Sequence, residues 1–336
     1  MIQVAVKKAV EGIHLTRDEA RAAMETIMNG EATDAQIGGF LVAMRLKGET
    51  VEEISSFARV MREKATRIEA GAADVLDTCG TGGDGARTFN ISTISAFVAA
   101  GAGLVVAKHG NRSVSSQCGS ADVLMELGVR IDISPERVSD CLREIGIGFL
   151  FAPRLHASMK YAIGPRRELG IRTFFNILGP MTNPADAKRQ LLGVYSEALV
   201  ETVAGVLADL GCERAYVVHG SDGLDEITTT GVTTVAEVKD GGVRVFRIEP
   251  EPFGIPRAQR IDLEGGDPAR NAEIFCSVLS GEGGPRRDIV LLNSAFAICA
   301  GGKSRTPEEG IERAARSIDS GAAMEKYAGL KEFTNA

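Results

Sequence analysis

At 336 residues, with 44% hydrophobic and 25% charged side chains, the chain has the make-up of a folded protein of one large domain or two unequal ones. Its 45 acidic side chains outnumber 38 basic ones, and the net charge of −7 argues against a nucleic-acid partner, whose phosphates call for a basic excess. No Cys-x-x-Cys pair links the six cysteines, the opening residues lack a signal-like apolar core, and the longest apolar runs are too short for a bilayer, so the sequence predicts a reduced, cytoplasmic chain with no membrane partner.

The first 70 residues read as helices only. Thr16-x-x-Glu19, Thr33-x-x-Gln36 and Thr50-x-x-Glu53 each have the form of a capping box, in which two side chains satisfy free amides at a helix start. Apolar residues of helical period follow each one: Met24 and Ile27, then Phe40, Leu41 and Met44, then Phe57 and Met61. Gly38-Gly39 inside one of these helices costs about 1 kcal/mol per residue relative to Ala, and small residues there suit close approach by another helix, such as one from a second subunit.

Beyond the small Ala70-Gly71-Ala72-Ala73 joint, strand-like runs alternate with helical ones. Strands are expected at Val75–Thr78, Leu104–Ala107, Gly148–Phe151, Leu191–Tyr195 and Ala215–Val218, with helices from about Ser92, over Ala121–Leu127, and up to Leu210. Two strands flank Asp240-Gly241-Gly242 as a hairpin, and the tail is helical from Pro307. The expected fold class is therefore α/β: a small helical domain over 1–70, packed with a helical segment around 156–183, and a large α/β domain over 74–336 built on a central, mostly parallel sheet.

The segment Asp77-Thr-Cys-Gly-Thr-Gly-Gly-Asp-Gly-Ala-Arg-Thr-Phe-Asn-Ile-Ser-Thr93 is the richest. Gly80-x-Gly82-x-x-Gly85 formally satisfies the dinucleotide fingerprint, but that motif needs an acid about 20 residues on, and no Asp or Glu lies between Asp84 and Asp122. Gly302-Lys303-Ser304 mimics the end of a nucleotide-triphosphate loop, yet the first glycine of that motif would fall on Ala297. What remains is a strand opening into consecutive glycines and a helix capped near Asn90 or Ser92, which is a phosphate site made of backbone amides. Asp84 beside phosphates requires an intervening cation or sugar hydroxyl.

Lys108-His-Gly-Asn-Arg-Ser-Val-Ser-Ser116, with Ser120 capping the next helix, supplies a second anion-binding surface at the same sheet edge. A third strand ends in His219-Gly220-Ser221-Asp222-Gly223-Leu224-Asp225-Glu226, where an adjacent carboxylate pair suits magnesium, which takes few carboxylates and bridges to phosphates. His219 alone reads as a hydrogen-bonded histidine rather than a metal ligand.

Taken together, Gly80-Thr-Gly-Gly-Asp84, Thr88-Phe-Asn-Ile-Ser-Thr93, Lys108-His-Gly-Asn-Arg112, Gly119-Ser-Ala-Asp122, Arg166-x-Glu168-Leu-Gly170, Asn176-x-Leu178-Gly179-Pro180, Thr182-Asn-Pro184 and Gly223-Leu-Asp-Glu226 resemble the anthranilate phosphoribosyltransferase family over most of the chain. The resemblance implies a nucleoside-phosphorylase-like α/β domain, a homodimer, and transfer of phosphoribose from 5-phosphoribosyl 1-pyrophosphate (PRPP) to anthranilate in tryptophan biosynthesis. For PRPP it implies a site made of Gly80, Gly83, Asp84, Thr88, Asn90, Ile91, Ser92, Thr93, Lys108, His109, Gly110, Asn111, Arg112, Ser113, Val114, Ser115, Ser116 and Ser120. It implies that Gly80, His109, Asn111 and Arg166 hold anthranilate, and that Ser92, Asp225 and Glu226 hold Mg2+, two ions per subunit. No acid/base dyad is expected: an aniline nitrogen is already unprotonated, so the reaction rests on stabilising the leaving pyrophosphate, with Lys108 and Asp84 as the transition-state groups. His156-Ala-Ser-Met159 and Gly179-Pro-Met-Thr182 depart from the family's His-Pro-Ala-Met and Gly-Pro-Leu-Thr. The alternatives on the same fold are a pyrimidine nucleoside phosphorylase, which would use phosphate instead of pyrophosphate, and a non-catalytic nucleic-acid-binding paralogue.

Overall fold

In a computed structural model, residues 1–72, 74–113 and 117–336 are described. Helices α1 (Ile2–Val10), α2 (Arg17–Met28), α3 (Asp34–Lys47) and α4 (Val51–Lys64) form the N-terminal layer. The last three start at Thr16, Thr33 and Thr50, each with both arms of its capping box formed, so a purely local signal set their position. Their apolar faces close on one cluster with Phe174, Phe175, Ile177 and Leu178 from the stretch after Leu169. At its centre Phe57 stacks on Phe174 at 4.5 Å, with Phe40 edge-on to both. Among the described residues, a methyl group placed on Gly38 or Gly39 would meet no atom within 4 Å outside its own helix backbone and its chain neighbours.

The second layer is a seven-stranded sheet of β1 (Val75–Gly80), β2 (Val105–Gly110), β3 (Ile147–Phe151), β4 (Arg189–Gly193), β5 (Arg214–Gly220), β6 (Thr233–Lys239) and β7 (Gly242–Ile248), in the order β3-β2-β1-β4-β5-β6-β7. Strands β1 to β5 are mutually parallel, and the β6–β7 hairpin adds two antiparallel strands at one edge. The strand alternation separates two cores. Leu191, Tyr216 and Val218 face α5 (Ile91–Gly101) and the helices at 285–300, 307–319 and 322–335, whereas Leu192, Ala215 and Val217 face the N-terminal layer and the 200–209 helix. Arg17 and Arg59 of the N-terminal layer both pair with Asp209 at the end of that helix, at 2.8 and 3.2 Å.

The expected strands are present with shifted ends. The fourth begins at Arg189 and stops at Gly193 instead of covering Leu191–Tyr195, because Gly193 lies where the backbone of Asp225 crosses: a Cβ there would stand 1.6 Å from the Asp225 carbonyl oxygen. Four parallel strands, β1, β2, β4 and β5, end in glycine. A Cβ at Gly80, Gly110 or Gly220 would come within 2.5 Å of the side chain of Asp225, Ser120 or Asp222 respectively. The carboxyl edge of the sheet is thus covered by loops packed closer than any larger residue permits. Among the described residues no helix is long and apolar enough to cross a membrane.

Candidate active site

The glycine loop leaves β1 at Gly80 and enters α5 at Asn90. Gly82, Gly83, Gly85 and Arg87 all take left-handed backbone angles, which three glycines tolerate freely. Thr81 donates its amide to Gly193 O at 2.9 Å, Gly82 donates its amide to Asp225 Oδ2 at 2.7 Å, and Ala86 donates its amide to Asp84 Oδ1 at 3.2 Å. The amides of Gly83, Asp84 and Gly85 donate to nothing among the described residues. Donors left free on a loop that runs into a helix N-terminus are what an anion needs. Thr88 is strapped to Glu264 by an isolated bridge, and Ile91 and Thr93 are buried, so these two define the start of α5 through packing. Asn90 caps the helix by position alone. Its side chain donates to Cys118 O at 3.1 Å and accepts from Asn271 at 3.0 Å.

Asp225 and Glu226 descend onto this loop from the end of β5. Glu226 Oε1 accepts the Ser92 amide at 3.1 Å, in the first turn of α5. Burial, together with the neighbouring Asp84, raises the Asp225 carboxyl to about 7, and burial with Asp225 raises Glu226 to about 8. A buried cation nearby is Lys108, only 3% exposed, whose Nζ donates to Thr78 O at 2.5 Å and to Ser92 Oγ at 3.5 Å. Burial holds its ammonium below the usual lysine range against the opposing pull of Asp77, Glu226 and Asp225.

Three carboxyls crowd one lysine, and Asp225 and Glu226 are held toward their protonated forms; a divalent cation beside them would favour the ionised forms. Among the described residues no three His, Cys, Asp or Glu side chains converge as a metal site. Ser92, Asp225 and Glu226 offer one hydroxyl and two carboxyls, oxygen donors of the kind magnesium takes while it keeps waters and binds phosphates.

The loop after β2 is pinned at both ends by a residue that the motif reading placed in the family pattern but gave no role. Asp122 Oδ2 accepts the amides of Ser113 at 3.0 Å and Gly119 at 2.9 Å. The helix over Ser120–Glu126 is capped at Gly119, not Ser120, since the Asp122 carboxylate takes the cap amide; Ser120 instead donates its hydroxyl to Asn111 O at 3.3 Å. Asn111 and Arg112 are exposed, and Arg112 reaches Met125 Sδ at 3.3 Å. Val114, Ser115 and Ser116 lie outside the described residues.

His109 faces the other way, toward the helical layer. Its backbone amide donates to Asp77 Oδ1 at 3.1 Å and its Nδ1 donates to Gly179 O at 3.1 Å. Asn183 completes this buried knot by donating to Asp77 Oδ2 at 2.7 Å and Ala107 O at 2.8 Å. The ring of His156 stands 5.1 Å from that of His109, and Nε2 of each is buried without a partner among the described residues. Burial lowers His109 to about 3 and His156 to about 4, so both are neutral at pH 7.

Arg166, in the helix over Lys160–Leu169, lies 5.1 Å from the Phe175 ring and has no acidic partner among the described residues. A half-buried guanidinium with no counter-ion is a ready receptor for a planar carboxylate. Arg172, which sequence reasoning missed, lies over the Tyr195 ring at 4.1 Å and donates to Gly83 O. No motif at Arg172 signals this, because both contacts come from elements distant in the chain. His219 is the hydrogen-bonded histidine expected, donating from Nδ1 to Val194 O at 2.7 Å. Gly302-Lys303-Ser304 ends the 285–300 helix and is no strand-to-helix phosphate loop.

A cavity of about 830 Å³ lies on the hairpin, lined by Glu197, His219, Thr234, Arg247 and Phe253 among others. It shares no residue with the glycine loop or with the Asp225–Glu226 pair.

Residues 72–324 match the family described as glycosyl transferase family, a/b domain, and residues 3–65 match its helical bundle domain. The chain is 59% identical to the anthranilate phosphoribosyltransferase of Pelotomaculum thermopropionicum, covering 99% of this chain and 97% of that one. It is 56% identical to that of Trichlorobacter lovleyi over the full length of both. Among solved structures, the Thermus thermophilus anthranilate phosphoribosyltransferase superposes with a TM-score of 0.94 at 42% identity, covering 99% of each chain. The Saccharomyces cerevisiae enzyme in complex with PRPP and Mg does so at 0.90 and 29% identity, covering 99% of this chain and 98% of that one.

Proposed function

Since the chain belongs to the anthranilate phosphoribosyltransferase family, we propose that it transfers the 5-phosphoribosyl group of PRPP to the amino group of anthranilate, giving N-(5-phosphoribosyl)anthranilate and pyrophosphate. The observation that carries this reading is the meeting, at one sheet edge, of three loop amides with no acceptor among the described residues and a buried, crowded acidic pair. A phosphorylase would need a base-binding site, and inorganic phosphate rather than pyrophosphate. The combination of glycine loop, α5 N-terminus, Lys108 and acid pair suits a larger, metal-bridged polyanion, as does the yeast relative's complex with PRPP and Mg.

In the proposed reaction the bond from the ribose C1 to the pyrophosphate oxygen breaks, the anthranilate nitrogen bonds to C1, and the amine proton passes to water. The amides of Gly83, Asp84 and Gly85, with Thr88, Asn90, Ser92 and Thr93, receive the phosphoribosyl and pyrophosphate groups. Lys108 in β2, and beyond it Asn111 to Ser116 and Ser120, bind the same groups. Magnesium held by Ser92, Asp225 and Glu226, two ions per subunit, supplies charge neutralisation of the pyrophosphate. Arg166 pairs with the anthranilate carboxylate, and Gly80, His109 and Asn111 position its ring and amine. Because His109 and His156 are neutral, they place no competing positive charge beside the amine.

The helical unit at 1–70 with the 156–183 segment and the α/β unit at 74–336 then meet around the substrates. Among the described residues none of the six cysteines forms a disulfide, which suits a cytoplasmic enzyme. A homodimer through α1 and α3 is supported by the open faces of Gly38 and Gly39 and by exposed Val4, Val10 and Leu46 on the same two helices. Sedimentation that finds single chains at micromolar concentration rules this dimer out. Loss of anthranilate fluorescence on mixing with PRPP and magnesium tests the reaction itself. Phosphorolysis of pyrimidine nucleosides with no such loss would favour the phosphorylase.

A further inference from the structure

Three consecutive residues of the glycine loop are held by three different elements. Thr81 is tied at both ends beyond β4, its amide to Gly193 O at 2.9 Å and its Oγ1 accepting the Tyr195 amide at 3.0 Å. Gly82 donates its amide to Asp225, and Gly83 gives its carbonyl to Arg172. The first two contacts are built from the sheet edge. The third comes from an exposed arginine just beyond the helix that carries Arg166, its guanidinium carbon over the Tyr195 ring at 4.1 Å.

The Gly83 carbonyl and the Asp84 amide belong to one planar, trans peptide unit, so they point in opposite directions. Fixing one fixes the other. Gly83 resists rotation of that plane least, since with φ +73 it sits in a region that glycine enters and leaves at little cost. The Asp84 amide is one of the three loop donors with no partner among the described residues.

We infer that Arg172 is a positioning residue for the phosphate loop: by holding Gly83 O while stacked on Tyr195, it turns the Asp84 amide away from itself and keeps it ready for the anion. The inference rests on the phosphoribosyl reading of this loop. A guanidinium can stack and donate at once because it is planar, whereas a lysine ammonium can only donate. The arginine also joins the anthranilate side to the phosphate side, since it follows Arg166 in the chain and touches the loop directly.

The test uses the full chain with Arg172→Met, Arg172→Lys, Tyr195→Phe and Tyr195→Ala, each first shown to melt as the wild type does. Calorimetric titration with PRPP and magnesium should show affinity falling about 10- to 30-fold in Arg172→Met, the loss expected for one charge-assisted hydrogen bond. The same loss should appear in the KM for PRPP, with kcat and the KM for anthranilate nearly unchanged. Tyr195→Phe keeps the ring face and should behave as wild type. Arg172→Lys should recover less than half of the loss, and Arg172→Met with Tyr195→Ala should be no worse than Arg172→Met alone. Unchanged PRPP affinity in a folded Arg172→Met overturns the proposal. So does full recovery by lysine, which would mean direct attraction of charge to phosphate. Titration needs no turnover, so a wild type that binds PRPP without consuming anthranilate would defeat the reaction and leave the test of Arg172 intact.

Discussion

The α/β layer offers two places to look for a ligand, and they differ in kind. The hairpin cavity encloses about 830 Å³, yet its charges are already matched. Glu197 accepts from Arg247 at 3.0 Å and from Thr234 at 2.7 Å, Glu249 lies 3.6 Å from Arg257, and His219 is spent on Val194 O. The glycine-loop edge has three amides without acceptors among the described residues, two carboxyls pushed far above their ordinary range, and a lysine buried among them. Space costs a protein little, whereas unmatched buried charge costs several kcal/mol and persists where something else compensates it. The crowding of buried ionisable groups, rather than the volume, supports the proposal that the glycine-loop edge binds the substrates.

The comparison breaks most decisively at the acid pair. Replacing Asp225 and Glu226 together by alanine should lower turnover at millimolar magnesium by roughly 10³-fold or more, the scale of losing a transition-state electrostatic group. Circular dichroism should remain that of the native fold, because relieving carboxyl repulsion removes no apolar contact. Wild-type enzyme in excess chelator should fall to the same floor. A double variant that still turns over at the wild-type rate would mean that this crowding serves something other than the reaction.

Arg166 sharpens the contrast between the two halves of the site. Arg166→Ala should lower kcat/KM for anthranilate by about 30- to 150-fold, or roughly 2–3 kcal/mol, while KM for PRPP stays close to wild type. Lysine should not restore it, since a point charge lacks the bidentate fork. Equal losses toward both substrates would place the anthranilate carboxylate elsewhere.

How much of this was legible in the sequence follows from how local each signal is. The capping boxes at Thr16, Thr33 and Thr50 and the glycine loop are contiguous patterns, and the structure places them as read. Strand ends were legible only to within a few residues, because Gly193 stops β4 for a reason that lies at Asp225. That Asp225 and Glu226 face Lys108 and Ser92 was legible only through the rule that parallel strands collect ligands at their carboxyl ends. Arg172 on Gly83, and the Asp77–Asn183–His109 knot, pair residues from distant segments. No spacing announces such pairs, and only the folded chain shows them.

A smaller effect concerns the neutral histidines on the anthranilate side. His109 and His156 titrate near 3 and 4 when folded and near 6.5 when unfolded, so between those values the unfolded chain binds more protons. The histidine contribution to stability therefore falls as pH drops below about 6.5 and goes on falling toward the folded values, while the raised carboxyls of Asp225 and Glu226 act in the opposite sense. Between pH 7 and pH 5 the two histidines together should cost about 4 kcal/mol, read in urea unfolding as the difference between the wild type and the double variant His109→Gln, His156→Gln. The carboxyls are common to both proteins, so that difference isolates the two rings. Identical slopes would mean that these rings are hydrated in solution and share in no closed, apolar side of the site.

The smallest effect belongs to the hairpin cavity, and it tests the comparison from the opposite direction. Arg247 is 70% exposed and its pairing with Glu197, itself 53% exposed, lies in water, where such pairs contribute little. Nothing in the cavity is left unmatched by removing one member of an exposed pair, because Glu197 keeps the Thr234 hydroxyl at 2.7 Å and regains solvent. Arg247→Ala should therefore leave kcat and both KM values within about twofold of wild type. Phe253→Ala is the harsher companion: its ring packs edge-on against Phe296 at 5.8 Å, so stability should fall while the kinetic constants of the folded fraction do not. A loss of tenfold or more in the use of either substrate by a folded Arg247→Ala enzyme would show that matched charge and open volume can still serve the reaction, and the rule that separates the two regions would fail.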